Sequence, residues 1–168
     1  AARFMHHSPK WNKETKSKMN FTVGRHLKFE RTPLPGVIVI TPARFEDHRG
    51  FFSESYNARA IAEYGVNTQF VQDNHSLSIT QGTIRGLHFQ VPPHAQHKLV
   101  RCGRGALFDV AVDIRKGSPT YGQWFGVELS FENGKQLLVP AGFAHGFVTR
   151  APETEIIYKC SDYYAQQT

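Results

Sequence analysis

Short apolar stretches, rich in β-branched and aromatic residues and cut at close intervals by glycine, proline and asparagine, run from Gly36 to the end of the chain. That rhythm constrains the fold more than any other feature. Stretches of this length suit half-buried strands and are too short for core helices. The segments 37–40, 51–56, 69–75, 83–90, 97–102, 106–114, 123–130, 135–139, 146–149 and 155–159 are predicted strands. Turn signals separate them at Gly103, Gly105, Gly117-Ser118-Pro119 and Glu132-Asn133-Gly134. Asn133-Gly134, between two apolar runs, is the strongest hairpin signal, because both residues tolerate the positive φ that a tight hairpin requires. One short helix is predicted over 58–64, with Asn57 as N-cap and Gly65 as terminator. The 13 Phe and 6 Tyr fit the same picture. The expected fold class is all-β, a sandwich or barrel with one short helix.

Charge divides the chain unevenly. The net charge is +6, but the excess sits in residues 1–31, where only Glu14 and Glu30 oppose eight Lys and Arg. Residues 32–168 are balanced. The reading is a basic, flexible leader over 1–31 and a single folded domain over 32–168. A neutral domain gives no basic face for nucleic acid. No apolar run approaches the length of a bilayer span, so no membrane partner is expected. Cys102 and Cys160 fall on separate predicted strands and form no CxxC pair. They read as reduced thiols of a cytoplasmic protein.

The chemistry-bearing residues concentrate in two stretches. Arg85-Gly86-Leu87-His88-Phe89-Gln90 lies on a predicted strand, where simple alternation separates Arg85 from His88. A bulge at Gly86 would reunite them. Pro140-Ala141-Gly142-Phe143-Ala144-His145 is a turn leading into a strand. With Gly134 it completes the spacing G-x5-P-x-G-x2-H, which resembles the second motif of the cupin β-barrel, a jelly roll. The first cupin motif is matched from Gly82 to His88, but Gln90 stands where its second histidine would be, and its glutamate is missing. A cupin metal site needs those ligands. No metal or other cofactor is therefore expected, leaving His88 and His145 free for acid, base or anion contacts. Asp109 and Asp113 alternate onto one face of an apolar strand, so at least one is expected to be buried and paired, with its partner open.

Many further stretches carry a closer resemblance. They are Asp47 to Asn57, Phe70 to Ser76, Arg85 to Gln90, Lys98 to Cys102, Phe108 to Arg115, Pro140 to Val148, Tyr158-Lys159 and Tyr163-Tyr164. Over residues 36–168 the chain resembles the dTDP-4-dehydrorhamnose 3,5-epimerase family, cupin-type jelly-roll enzymes. The resemblance implies a dTDP-4-keto-6-deoxyhexose substrate, inverted at C3 and C5 to dTDP-4-keto-L-rhamnose without metal. It implies His88 as base, Tyr158 as acid on the other sugar face, and Lys98 as stabiliser of the enolate oxygen. It assigns Arg49, Phe52, Glu54, Gln72, Asp73, Asn74, Arg85, His145 and Tyr164 to substrate binding. Arginines suit the diphosphate, Glu54 the thymine N–H, and Phe52 and Tyr164 the base.

Three expectations follow from the resemblance. The family continues for some tens of residues past the position of Thr168, including an aspartate that orients the catalytic histidine, so the expectation is either a chain without that segment that is weak or inactive, or a sequence that covers part of a longer protein. The family forms homodimers by strand exchange, with Arg49 to Glu54 completing the partner's site. The competing functions are a single-site epimerase or ketoisomerase of dTDP-sugars, and a catalytically silent dTDP-sugar-binding barrel.

Overall fold

The computed structural model describes residues 26–166. The strands are β1 (Leu27–Arg31), β2 (Ile38–Pro42), β3 (Phe45–Asp47), β4 (Gly50–Phe52), β5 (Gln72–Ser78), β6 (Ile84–His88), β7 (Lys98–Arg104), β8 (Ala106–Asp113), β9 (Trp124–Ser130), β10 (Gln136–Val139), β11 (Phe143–Thr149) and β12 (Thr154–Cys160), with one helix, α1 (Ala58–Glu63). The all-β expectation with one short helix holds. Residues 1–25 of the expected leader lie outside the described residues, but its last five form β1, paired antiparallel along β2. The predicted strand over 51–56 is instead a small hairpin of β3 and β4, turned where Asp47 Oδ1 accepts from the Arg49 N–H at 2.8 Å. Among the described residues no helix is long and apolar enough to cross a membrane.

Two antiparallel sheets make the body. One runs β1-β2-β10-β7-β12-β5 and the other β6-β11-β8-β9. From β6 onward the chain passes repeatedly between them, as a jelly roll does. The core cluster takes Val39, Val100, Leu137 and Ile156 from the first sheet and Leu107, Ala111, Leu129 and Phe147 from the second. Alternation explains the pairing: along β8, Leu107, Asp109, Ala111 and Asp113 are buried, while Phe108, Val110 and Val112 are only partly covered. A second cluster covers the outer face of the larger sheet, where Ile61 of α1 packs with Ile40, Leu99 and Leu138. As expected, α1 is capped by Asn57, whose Oδ1 accepts from the Ala60 N–H at 3.1 Å.

The Asn133-Gly134 hairpin does not form. β9 pairs with β8, whereas β10 pairs with β2 and β7. The turn carries the chain from one sheet to the other. Asn133 Oδ1 accepts from the N–H groups of Ser130 and Lys135, which shapes a corner. Every residue of β10 is buried, so it needs a strand on each side, and β9 alone would leave one edge bare.

Both aspartates of β8 are fully buried and paired. Asp113 accepts from Arg115 Nε at 2.9 Å and Nη2 at 2.7 Å, and from the hydroxyls of Ser118 and Thr120, both at 2.6 Å. The Arg115 guanidinium first, then the two hydroxyls, hold its carboxyl well below the usual carboxylate range. A depressed carboxyl stabilises the fold fully above its unfolded pKa of about 4 and loses that contribution as the pH falls below it. Asp113→Asn is expected to cost about 3 kcal/mol at pH 7. In urea titrations the gap from wild type should narrow as the pH drops below about 4.

Candidate active site

The site begins at a close contact between backbones. In the β6–β11 pair, His88 faces His145 and Arg85 faces Phe147, so Gly86 and Leu87 together oppose the single Gly146. This is a bulge, and it changes the parity of β6. Arg85 and His88, three residues apart, now share the inward face with His145 and Phe147. Only glycines permit it. A Cβ on Gly86, at φ +135°, would lie 2.7 Å from Gly146 Cα, and one on Gly146 would lie 2.8 Å from the Arg85 carbonyl oxygen.

His88 then lines a cavity of about 600 Å³ between the sheets. Lys98 on β7 and Tyr158 on β12 line it from the larger sheet, with Gln72 and Asn74 on β5 and Tyr164 beyond β12. The register sets these neighbours side by side: Lys98 pairs with Cys160, and Tyr158 with Asn74. A larger hollow of about 730 Å³, by the β1–β2 loop and the end of α1, contains none of the sequence-predicted residues.

Burial tunes the groups on the larger sheet. It raises the Tyr158 phenol, with Cys160 adding to the rise and the Arg85 charge opposing it. It lowers the Lys98 ammonium, with Cys160 and Asp109 pulling it back up. The Cys160 thiol is raised by burial, opposed by Lys98 and by a hydrogen bond from Asn74 Nδ2 at 3.5 Å. Asn74 in turn accepts from Gln72 Nε2 at 3.0 Å. A phenol kept protonated beside a poorly hydrated cation can donate a proton near developing negative charge.

The other sequence-predicted residues lie elsewhere. His145, 6% exposed, is turned to Asp109, with Nε2 and Oδ1 2.8 Å apart. Arg85 donates through Nε to Ser78 Oγ at 3.1 Å and through Nη2 to the Leu77 carbonyl at 3.2 Å. Asp73 does not join Gln72 and Asn74. Strand alternation sends it to the opposite face of β5, where it pairs with Lys159 at 3.0 Å and shares a separate pocket with Glu54. Arg49, Phe52 and Glu54 do not line the 600 Å³ cavity. Arg49 is paired with Asp47, Phe52 is 64% exposed, and Glu54 accepts from Asn57. Cys160, Gln90 and Gln96 line the cavity without having been singled out for it. Cys160 was legible, since it follows Tyr158 by two on one strand.

Comparison with known proteins identifies relatives of this arrangement. A family model described as dTDP-4-dehydrorhamnose 3,5-epimerase matches residues 31–168. The enzyme of that name from Shigella flexneri is 53% identical over 137 residues, covering 81% of this chain and 75% of the relative. The crystal structure of the Bacillus anthracis dTDP-4-dehydrorhamnose 3,5-epimerase with TDP and PPi bound superposes with a TM-score of 0.82 at 51% identity, covering 83% of this chain and 80% of the other. The Legionella pneumophila dTDP-6-deoxy-D-glucose-3,5-epimerase, in complex with dTDP-4-keto-L-rhamnose, also gives 0.82, at 46% identity, covering 85% and 76%.

The glycine contact is directly testable. Gly146→Ala is expected to force β6 and β11 apart and to lower stability by about 1–3 kcal/mol in urea denaturation. Gly146→Ala should also accelerate the amide hydrogen exchange of β6 relative to wild type.

Proposed function

The chain belongs to the dTDP-4-dehydrorhamnose 3,5-epimerase family, and from that premise we propose how its cavity works. The reaction is an isomerisation that inverts C3 and C5 of dTDP-4-keto-6-deoxy-D-glucose to give dTDP-4-keto-L-rhamnose, a step of dTDP-L-rhamnose biosynthesis. The C4 ketone acidifies the protons on both neighbouring carbons. Each inversion removes a proton from one face of the sugar and returns one to the other, with no net oxidation.

One observation carries the assignment of roles: His88 and Tyr158 line the same cavity from different sheets. His88, as base on the smaller sheet, takes the proton. Electrons move into the C4 carbonyl, and the resulting enolate oxygen is stabilised by the Lys98 ammonium, whose charge acts strongly because it is poorly hydrated. Tyr158, held in its phenol form by burial, returns a proton from the other face. Gln72, Asn74 and Tyr164 supply contacts to the sugar nucleotide from the cavity wall.

The homodimer belongs to the same proposal. Arg49 and Phe52 lie on the β3–β4 hairpin and do not line the cavity of their own chain, and Phe52 is largely exposed. The outer face of the smaller sheet also exposes Ile84, Leu87 and Trp124. A second copy covering apolar surface there would remove it from water. The hairpin of one subunit would then bring the guanidinium of Arg49 and the ring of Phe52 to the nucleotide bound by its partner.

Two experiments test this reading. In D2O, NMR of the substrate should show deuterium entering at both C3 and C5 with wild type. Exchange at one carbon alone would make the protein a single-site epimerase, and exchange at neither would leave a silent binding barrel. His88→Asn should abolish exchange at both positions, and Tyr158→Phe should slow inversion by about 10²–10⁴ while exchange continues. Separately, inactive His88→Asn and Arg49→Ala proteins, unfolded and refolded together, should regain activity through hybrid dimers with one intact site. No regain would sink the shared-site arrangement.

A further inference from the structure

Gln90 occupies the position where the cupin motif would carry a second histidine, and the proposed chemistry gives it no role. Its amide is nonetheless fully engaged with backbone. Nε2 donates to the His94 carbonyl at 2.7 Å and to the Tyr163 carbonyl at 3.3 Å, and Oε1 accepts from the Ala165 N–H at 2.9 Å. From the facing sheet, Gln72 Oε1 accepts from the Tyr164 N–H at 3.3 Å. Two glutamines, one beside each sheet, therefore hold three consecutive backbone residues across the cavity. The loop following Gln90 anchors the same segment upstream: Gln96 Nε2 donates to the Asp162 carbonyl at 2.7 Å, and His94 Nδ1 lies 3.3 Å from Asp162 Oδ2.

We propose that Gln90 is a positioning residue of the sugar-nucleotide site, fastening residues 163–165 as a strap that holds Tyr164 at the cavity before substrate arrives. The identity of the ligand rests on the function proposed above; the strap itself rests on the hydrogen bonds. A segment just beyond the last strand has little packing to fix it, and Tyr164 is 72% exposed. Ordering it only on binding would weaken affinity by its conformational entropy. The residue type matches the task. The strap presents two carbonyls and one N–H to position 90, and a primary amide serves both kinds of group. A carboxylate has no donor for the carbonyls.

The test uses Gln90→Ala and Gln90→Glu in the full chain. Without ligand, amide exchange at Ala165 should be about tenfold faster in Gln90→Ala, with β12 amides unchanged, which also shows that the variant is folded. Calorimetry should show dTDP binding about tenfold weaker, and KM for the 4-keto sugar nucleotide should rise about tenfold with kcat nearly unchanged. Gln90→Glu, which fills the same space, should raise KM as much as Gln90→Ala. If Gln90→Glu behaves as wild type, Gln90 merely packs and the proposal falls. Unchanged Ala165 exchange, unchanged dTDP affinity, or a fall in kcat alone would equally overturn it. Failure of wild type to bind dTDP would instead overturn the sugar-nucleotide reading, while the exchange measurement still decides the strap.

Discussion

The site depends on the approach of two backbones at Gly86 and Gly146. Without the bulge they permit, β6 would alternate regularly, and Arg85 and His88 would point to opposite faces. With it, both face inward, His88 beside the cavity and Arg85 close enough to act on the Tyr158 phenol. The contact also brings the two motif-bearing strands into register, so that the histidines of the first and second motifs are direct cross-strand partners. A side chain at either glycine would have to displace main chain rather than a flexible group. The position is therefore intolerant in a way that an ordinary strand glycine is not.

The division into two sheets then does chemical work. A proton removed from one face of a ring and returned to the other needs groups on both sides of it, and a sandwich supplies two walls. The wall bearing Tyr158 and Lys98 is the more buried, which keeps the phenol protonated and strips water from the ammonium. The wall bearing His88 is exposed, as the proposed base needs if it is to return its proton to solvent after each inversion. The same two walls anchor the strap, through Gln72 on one and Gln90 on the other.

How much of this was legible in the sequence depended on the range of the interaction. Strand positions follow from local pattern, and nearly every predicted strand is present with its ends shifted by a few residues. The Asn133-Gly134 turn misled because a turn's local chemistry does not say which sheet receives the next strand; the burial of β10 on both faces decides that. The placement of Asp73 was readable, since Gln72, Asp73 and Asn74 are consecutive and cannot share one face of β5. His88, Lys98 and Tyr158 come together from strands far apart in the chain, so only resemblance grouped them. Gln90 was noticed as a missing metal ligand. Its partners are backbone atoms, two of the three more than seventy residues away, and backbone atoms leave no trace in side-chain identity.

The buried pair of Asp109 and His145 fits the same logic. A carboxylate with no exposure is costly, and its Oδ2 has no hydrogen-bond partner among the described residues. Packing alone would favour a hydrocarbon there, since the surrounding β8 positions are Leu107 and Ala111. The compensation lies at the site. Burial drives Lys98 toward its neutral form, and the Asp109 charge opposes that drive. His145 bonds Oδ1 and fixes the carboxyl's orientation at 2.8 Å, while Oδ2 stays uncommitted. The pair thus places a carboxyl inside the sandwich where, together with Cys160, it opposes the burial that lowers the Lys98 ammonium.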